Sequence, residues 1–225
     1  MAHAAVVQAI TSRRAVRAFL PEPIAHSRIE ALLALAARAP SGSNIQPWQV
    51  DVLSGAARER LSAAVLAAAA AGGAQHTEPW PYYPRTWTEP YLSRRRALGS
   101  ALYRALGIDH ADRARRQAQA WRNYRFFDAP VALVFSIDAE LEQGSWLDYG
   151  AFVQTLMIAA RADALDTCAQ VALNPYHRVV AACLDWPAGR RMIGSLALGR
   201  ADPQAPENRL DTPREPVAAF TRFHA

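Results

Sequence analysis

Residues 36–50 read AARAPSGSNIQPWQV and join the end of an amphipathic helix to the start of a strand. Pro40 breaks the helix, and Ser41, Gly42 and Asn44 follow it. A glycine among small polar residues lets the backbone approach a ligand closely, and such residues supply N–H and hydroxyl donors. The stretch therefore indicates a ligand-facing loop, and an ordinary helix-to-strand connection is the alternative.

A second motif lies upstream, where residues 11–19 read TSRRAVRAF. Arg13, Arg14 and Arg17 fall within five positions. Guanidinium groups bind phosphate through two parallel hydrogen bonds, so this spacing predicts a phosphate-binding cluster. The alternative is a solvated basic surface, which is the common fate of such a run.

The composition is that of a globular domain with a strong basic balance. The chain has 225 residues, of which 51% are hydrophobic and 20% charged, and its net charge is +5. All 25 basic residues are arginines, which suits small anionic ligands and also permits nucleic-acid binding.

Cysteine and histidine spacings, and the apolar runs, exclude several other classes. Cys168 and Cys183 fit no metal-ligand or CxxC spacing, so we expect free thiols in a reducing cytosol and no structural metal. Residues 1–8 do not have the form of a signal peptide, and the alanine-rich run at 62–71 is too short to cross a bilayer. The expectation is a cytoplasmic protein that does not enter the membrane.

Hydrophobic periodicity predicts helices alternating with a few strands. A capping box of Ser27 and Glu30 is expected to open the second helix. The continuous apolar run at 129–137 predicts a central buried strand, and residues 148–162 predict a helix buried on most sides. Predicted helices cover residues 3–12, 27–38, 56–71 (ended by Gly72 and Gly73), 93–106, 109–125 and 148–162, and predicted strands cover 48–53, 129–137 and 193–198.

Taken together, RRAVRAF and APSGSNIQPW resemble the paired motifs of the nitroreductase family of FMN-dependent oxidoreductases. A final ALG…NRL…PREP pattern extends the resemblance along the chain. The resemblance implies one α+β domain over residues 1–225, with a central mixed, mainly antiparallel sheet flanked by helices. It also implies a homodimer, in which a tail at about 200–225 wraps the partner and the buried helix at 148–162 joins the shared core.

The resemblance further implies an FMN site assembled from five segments. Ser41 and Asn44 are expected to reach the site of the neighbouring subunit, and Gln170 either to contact flavin N5 or O4 or to face solvent. Ala15 and Thr212 replace the family's usual Ser and Lys, which removes a hydroxyl and a positive charge. The implied cofactor-binding residues are Arg13, Arg14, Ala15 and Arg17; Pro40, Ser41, Gly42 and Asn44; Asn123 and Arg125; Ala169 and Gln170; and Arg214.

The segment from 75 to 91 is rich in proline and aromatic residues, and its four prolines exclude a regular element. In the resembling family an excursion at about 75–125 varies and lines the substrate side of the flavin. Trp80, Tyr82, Tyr83 and Trp87 are therefore expected to form a substrate pocket, with packing on the surface as the alternative.

The resemblance implies an oxidoreductase in which flavin N5 performs the chemistry and no side chain is catalytic. That no nucleophile–base pair, Walker loop or GxGxxG is visible fits such a flavoenzyme. NADH or NADPH would give a hydride, and nitroaromatics, quinones or similar electron-poor acceptors would receive it in a ping-pong cycle. Arg17 or Arg125 is expected beside flavin N1, where it would stabilise negative charge.

Two other hypotheses stay open at this stage. One keeps the fold with different flavin chemistry, namely dehalogenation, enoate reduction or flavin breakdown. The other is a non-enzymatic nucleic-acid binder with a basic surface at the clusters around Arg95 and Arg115, against which no repeat or binding motif is visible. We therefore expect no nucleic-acid partner.

Overall fold

The computed structural model describes residues 2–72 and 75–224. Four strands and seven helices make up its regular structure over these ranges, joined by short 3-10 turns. The strands are β1 (Gln49–Ser54), β2 (Val131–Asp138), β3 (Asp166–Gln170) and β4 (Arg190–Gly199). The helices are α1 (Ala2–Ser12), α2 (His26–Ala36), α3 (Gly55–Ala70), α4 (Tyr91–Ala105), α5 (Arg113–Trp121), α6 (Gln143–Ala162) and α7 (His177–Cys183).

The strands form one sheet in the order β1-β2-β4-β3, and every neighbouring pair is antiparallel. Ala15 adds a parallel bridge to Thr167 at the β3 edge, where the Val16 N–H donates to the Thr167 carbonyl at 3.0 Å. The predicted α+β fold with a mixed, mainly antiparallel sheet is therefore confirmed.

Strand β2 divides the hydrophobic core into two layers because its side chains alternate between the faces of the sheet. Leu133 and Phe135 face the layer that contains α2 and α6, whereas Ala132 and Val134 face the layer that contains α3 and α7. The residues from Val131 to Ile137 are all buried, as the apolar run predicts. The sheet thus holds α6 against one face, and α6 borders the cavities described below.

Helix α6 is buried along one stripe only. Tyr149, Phe152 and Leu156 lie in that stripe, while Leu147 is 79% exposed and Gln154 is also exposed. Within residues 148–162 the chain leaves only Gly150, Gln154 and Ala162 exposed, and burial of this helix on most sides in a dimer stays a prediction. Helix α1 packs against α6, and the exposed Gly150 and Gln154 mark the side of α6 that the chain leaves open.

Several predicted details of the elements are wrong. Helix α2 begins at His26 after Ala25, and the N-cap position makes no side-chain bond, so the Ser27–Glu30 capping box is absent. Helix α5 begins at Arg113 rather than Asp109, because the Asp112 carboxylate accepts the Arg115 N–H at 2.9 Å and starts the helix there.

The structure also differs from the predicted elements in two segments that border the site, residues 122–128 and residues 166–170. Residues Arg122–Asp128 continue α5 as 3-10 turns, in which Phe126 and Phe127 take positive φ values and are buried. Residues 166–170, which lie outside the predicted strands, form strand β3. Gly72 has a φ of 96° after α3, and the predicted Gly73 lies outside the described residues.

Candidate functional site

A cavity of about 620 Å³ opens between β3, β4, α6 and the aromatic segment at 78–83. We call it the aromatic cavity, since six aromatic side chains form much of its wall. These are Trp80, Tyr82, Tyr83, Phe135, Trp146 and Tyr149. The polar members of the wall are Glu78, Asn123, Gln154, Gln170 and Ser195, and the others are Gly150, Val153, Met157, Ala169, Val171, Ala172, Pro175, Ile193 and Gly194.

A second cavity, of about 730 Å³, lies where the end of α1 meets the C-terminal tail. We call it the basic cavity because three of its residues are arginines. Its wall consists of Ile10, Thr11, Ser12, Arg13, Arg14, Gln154, Leu210, Asp211, Thr212 and Arg214. Gln154 of α6 lines both cavities, so they lie on either side of one side chain.

Asn208 holds the first motif against the tail. Its Oδ1 accepts the Arg17 N–H at 2.8 Å, and its Nδ2 donates to the carbonyls of Ala18 at 2.8 Å and Asp202 at 3.0 Å. Asn208 is buried, so these bonds are shielded from water. They fix residues from opposite ends of the chain side by side, and Arg214 then lines the same cavity as Arg13.

Arg17 and Ala15 lie at the β3 edge of the first motif. The Arg17 Nη1 donates to the Ala15 carbonyl at 3.4 Å, and neither residue lines either cavity. Burial raises the pKa of the nearby Cys168 thiol to about 11, and the charges of Arg17 and Arg13 act against this rise. The structure thus gives no support to Arg17 as the residue beside flavin N1.

Gln170 and Asn123 form a bonded pair in the wall of the aromatic cavity. The Gln170 Nε2 donates to Asn123 O at 3.0 Å and to Asn123 Oδ1 at 3.1 Å. Gln170 Oε1 and Ser195 Oγ are buried without a hydrogen-bond partner in the described ranges. Buried polar atoms are normally satisfied, and these two belong to residues that line the aromatic cavity, so they are available to a polar group of a ligand there. Gln170 is buried in the wall of the aromatic cavity and does not face bulk solvent.

Arg125 stands apart from both cavities, although Asn123 and Ala169 lie in the aromatic one. The Arg125 Nε pairs with Asp128 Oδ1 at 3.3 Å on the surface. The neighbouring Arg122 is the more enclosed cation, and it pairs with the buried carboxylate of Glu207. The expected position of Arg125 beside a bound flavin therefore finds no support in this chain.

The second motif lies outside both cavities within the chain. The Gly42 N–H donates to Asp148 Oδ2 at 3.0 Å, and Ser41 Oγ accepts the Gln46 N–H at 3.0 Å. Asn44 has a φ of 57° and is exposed, as is Pro40. This loop is consequently fixed at the start of α6 with its polar groups directed outward.

Three of the four predicted pocket aromatics line the aromatic cavity. Trp80 is fixed by a 2.8 Å bond from its Nε1 to the Met192 carbonyl and by an edge contact with Trp146, 4.8 Å between ring centroids. Tyr82 meets Tyr83 edge-on at 4.6 Å. Trp87 lies outside the wall and packs on Tyr83 at 5.2 Å.

The sequence interpretation missed the contribution of α6 and β4 to the wall. Tyr149 donates its hydroxyl to the Gln49 carbonyl at 2.7 Å, and burial raises its pKa. Gln154 follows Gly150 by one helical turn within the mainly apolar stretch 149–160, which was a usable signal. Gly194 was a second such signal. A side chain at this position would collide with strand β3, because a Cβ there would lie 2.9 Å from the Gln170 carbonyl oxygen.

Within the described parts of the chain, no group of three or more His, Cys, Asp or Glu side chains is arranged to hold a metal ion. None of the helices described has both the length and the apolar character that a bilayer crossing requires.

Comparison with known proteins connects this geometry to a family. Residues 10–200 match the model of the nitroreductase family. A nitrobenzene nitroreductase from Ectopseudomonas oleovorans is 38% identical over 214 residues, which cover 95% of this chain and 94% of that protein. A 4-nitrobenzoate reductase from Pseudomonas putida is 39% identical over 95% of this chain and 93% of its own length.

The solved structures agree with the sequence comparisons. The FMN-dependent nitroreductase NfnB from Mycobacterium smegmatis, crystallised in complex with NADPH, matches this fold with a TM-score of 0.94 and 35% identity over the full length of both chains. The family predicted from the two motifs is confirmed: the chain belongs to the nitroreductase family.

Proposed function

We propose that this protein is an FMN-dependent oxidoreductase that uses NADH or NADPH to reduce nitroaromatic compounds, with quinones and similar electron-poor molecules as further acceptors. The observation that carries the proposal is the pair of cavities that share Gln154, one basic and one aromatic. A ligand with a phosphate at one end and a flat ring at the other matches this division. The similar proteins named above are nitroaromatic reductases and an FMN-dependent, NADPH-complexed enzyme.

The basic cavity fits a phosphate group. Arg13, Arg14 and Arg214 bring three positive charges to its wall, and Asp211 brings one negative charge. Arg214 uses its Nη1 on Thr212 and Pro213 at 2.8–3.1 Å, which fixes the side chain and leaves its other donors available. A net of two positive charges balances a phosphate dianion, with Thr212 supplying a hydroxyl in place of the family's second cation.

The aromatic cavity fits a heteroaromatic ring with both donors and acceptors on its edge. Gln170 and Ser195 offer the unpartnered oxygen atoms described above, and aromatic side chains exclude water around them. FMN, when bound there, supplies the hydride chemistry. The protein's own residues bind the phosphate, hold the ring edge through amide and hydroxyl groups, and keep one aromatic-lined space for the acceptor.

We also propose that the protein acts as a homodimer with composite sites. Helix α1 exposes Val6, Val7 and Ile10 at 56, 43 and 50%, and this apolar surface adjoins the open side of α6. In the tail, Phe220 and Phe223 are 71% and 90% exposed. A second copy covering these residues would remove apolar surface from water. The outward-facing second motif, with Ser41 and Asn44, is then available to the partner's site.

The basic surface gives less support to nucleic-acid binding. Arg115 donates to the carbonyls of Gly107 and Leu106 beyond α4, and Arg116 donates to that of His110. Arg95 lies 4.8 Å from the Trp87 ring centroid. Arg115 and Arg116 hold the α4–α5 connection together, and Arg95 packs on an aromatic ring that precedes α4, so these arginines do not form a free cationic face. Cys168 and Cys183 are free thiols, which agrees with a cytoplasmic location.

The test is a visible absorption spectrum of the purified protein before and after anaerobic addition of NADH or NADPH, followed by nitrobenzene. The expected result is a flavin spectrum that bleaches with the donor and returns with the nitroaromatic. A spectrum that bleaches but does not return with any nitroaromatic would favour the same fold with different flavin chemistry. A protein that takes up no FMN would contradict the proposal.

A further inference from the structure

We propose that Glu78 makes the acceptor site selective against anionic nitroaromatics, so that its preferred acceptors are neutral. This inference rests on the proposed function and names the acceptor class within it. Nitrobenzene and 4-nitrobenzoate are both compatible with that function, and they differ in charge rather than in the reacting group. The charge of the cavity wall is what distinguishes them here.

Glu78 is the only residue with a formal charge among the described residues that line the aromatic cavity. The rest of the wall consists of aromatic, aliphatic, amide and hydroxyl groups. Glu78 is exposed to solvent, so water and salt screen part of its charge, but its position in the wall lets the remaining field act on a group inside the cavity. An acceptor that carries its own carboxylate meets this field, and a neutral acceptor of the same shape does not.

The pKa of Tyr83 shows the direction in which this charge acts on the wall. Burial contributes most to raising the pKa of Tyr83, the neighbouring Tyr82 adds to the rise, and Arg95 opposes it. The charge of Glu78 adds to the rise as well. Tyr83 lines the cavity, so Glu78 acts electrostatically on groups at the place where an acceptor would lie.

The cations near the cavity do not neutralise Glu78. Arg95 lies over the Trp87 ring at 4.8 Å, and Arg191 lies over the Trp146 ring at 5.9 Å. Neither arginine lines the cavity, and none of the ion pairs found between described residues involves Glu78. The negative charge in the wall is therefore uncompensated at short range.

The experiment compares kcat/KM for 4-nitrobenzoate and 4-nitrobenzamide, which have nearly the same shape and differ in charge. The holoprotein is assayed at a fixed, saturating concentration of donor. Relative to the wild type, Glu78→Gln should raise the benzoate-to-benzamide ratio of kcat/KM by about three- to tenfold, the range expected for removing one partly screened charge. Comparing ratios removes the difference in intrinsic reactivity between the two acceptors.

The matched control is Glu59→Gln, because Glu59 is an exposed carboxylate on α3 that lines neither cavity. It changes the net charge equally and should leave the ratio unchanged. A Glu78→Gln ratio equal to that of the wild type, or equal to that of the control, would overturn the proposal. If neither compound is reduced by the wild type, the proposed function fails instead.

A measurement on the wild type alone keeps the proposal testable if the variant does not fold. Repulsion by a carboxylate at the cavity mouth weakens as salt screens it. The wild-type benzoate-to-benzamide ratio should therefore rise between about 20 mM and about 500 mM salt. A ratio that stays constant or falls would overturn the inference.

Discussion

The two cavities on either side of Gln154 are built in different ways. The basic cavity takes its charged residues from the two ends of the chain, residues 13–14 and 211–214, and these side chains are mostly exposed. The aromatic cavity is built on β3, β4 and α6, where Gln170 and Ser195 are buried in the sheet. The contrast indicates two kinds of binding: charge attraction at one end, and packing with hydrogen bonds at the other.

The largest effect is expected from breaking the connection that completes the basic cavity. Asn208→Ala removes the bonds to Arg17, Ala18 and Asp202 and leaves buried backbone groups unpaired. The free energy of unfolding should fall by about 2–4 kcal/mol. Urea unfolding followed by far-UV circular dichroism measures it. The control Gln117→Ala changes an exposed amide on α5, and an equal loss in both variants would contradict this role for Asn208.

Removal of one positive charge from the basic cavity should weaken the binding of FMN, which carries a phosphate, far more than the binding of riboflavin, which does not. Arg13→Ala should weaken FMN binding by about 1.5–3 kcal/mol, or roughly tenfold to a hundredfold, and should change riboflavin binding much less. Flavin fluorescence titration of the apoprotein measures both affinities. Arg60→Ala, an exposed arginine on α3, is the control. Equal losses for the two flavins would show that Arg13 does not meet the phosphate.

A change in the aromatic cavity should give the opposite pattern. Gln170→Met keeps a similar size but removes the amide that bonds to Asn123 and lines the cavity. Affinities for FMN and for riboflavin should fall together, by about 1 kcal/mol. Gln117→Met on α5 is the exposed control. A loss confined to FMN would break the division between the two cavities.

The smallest effect is expected from Cys168, which is buried beneath the first motif. Burial raises the pKa of its thiol to about 11, so the unfolded chain loses this proton at a lower pH than the folded protein does. The raised pKa therefore costs stability as the pH rises from about 9 towards 11, and costs none at neutral pH. Cys168→Ala should flatten the fall of unfolding free energy over this window. An unchanged slope would contradict the assignment.

The sequence could predict the elements whose patterns are local. The apolar run predicted a central strand, which residues 131–137 form. The two motifs identified the family, and Arg13 and Arg14 of the first motif line one cavity. The capping box at Ser27 failed because the backbone turn at Ala25 opens α2 without a side chain. The free N–H groups of the first helical turn can be satisfied in several ways, so a capping motif in the sequence does not guarantee that its side chains are used.

The positions of single side chains depended on contacts that no local pattern contains. Arg17 lines neither cavity, and its backbone N–H is held by Asn208, which is 191 positions further along the chain. Trp87 packs on Tyr83 outside the wall, whereas Trp80 lines the wall and bonds to β4. Whether Ser41 and Asn44 complete a site in a second copy stays a prediction for the same reason.

The most direct measurement of the central claim is the ratio of the riboflavin and FMN dissociation constants for the wild-type apoprotein. The two flavins share the ring and ribityl chain, and only FMN carries the phosphate. If the basic cavity binds that phosphate, FMN should bind at least about a hundredfold more tightly at low salt, and salt should reduce the ratio. Equal affinities at low salt would contradict the division of one ligand between two cavities.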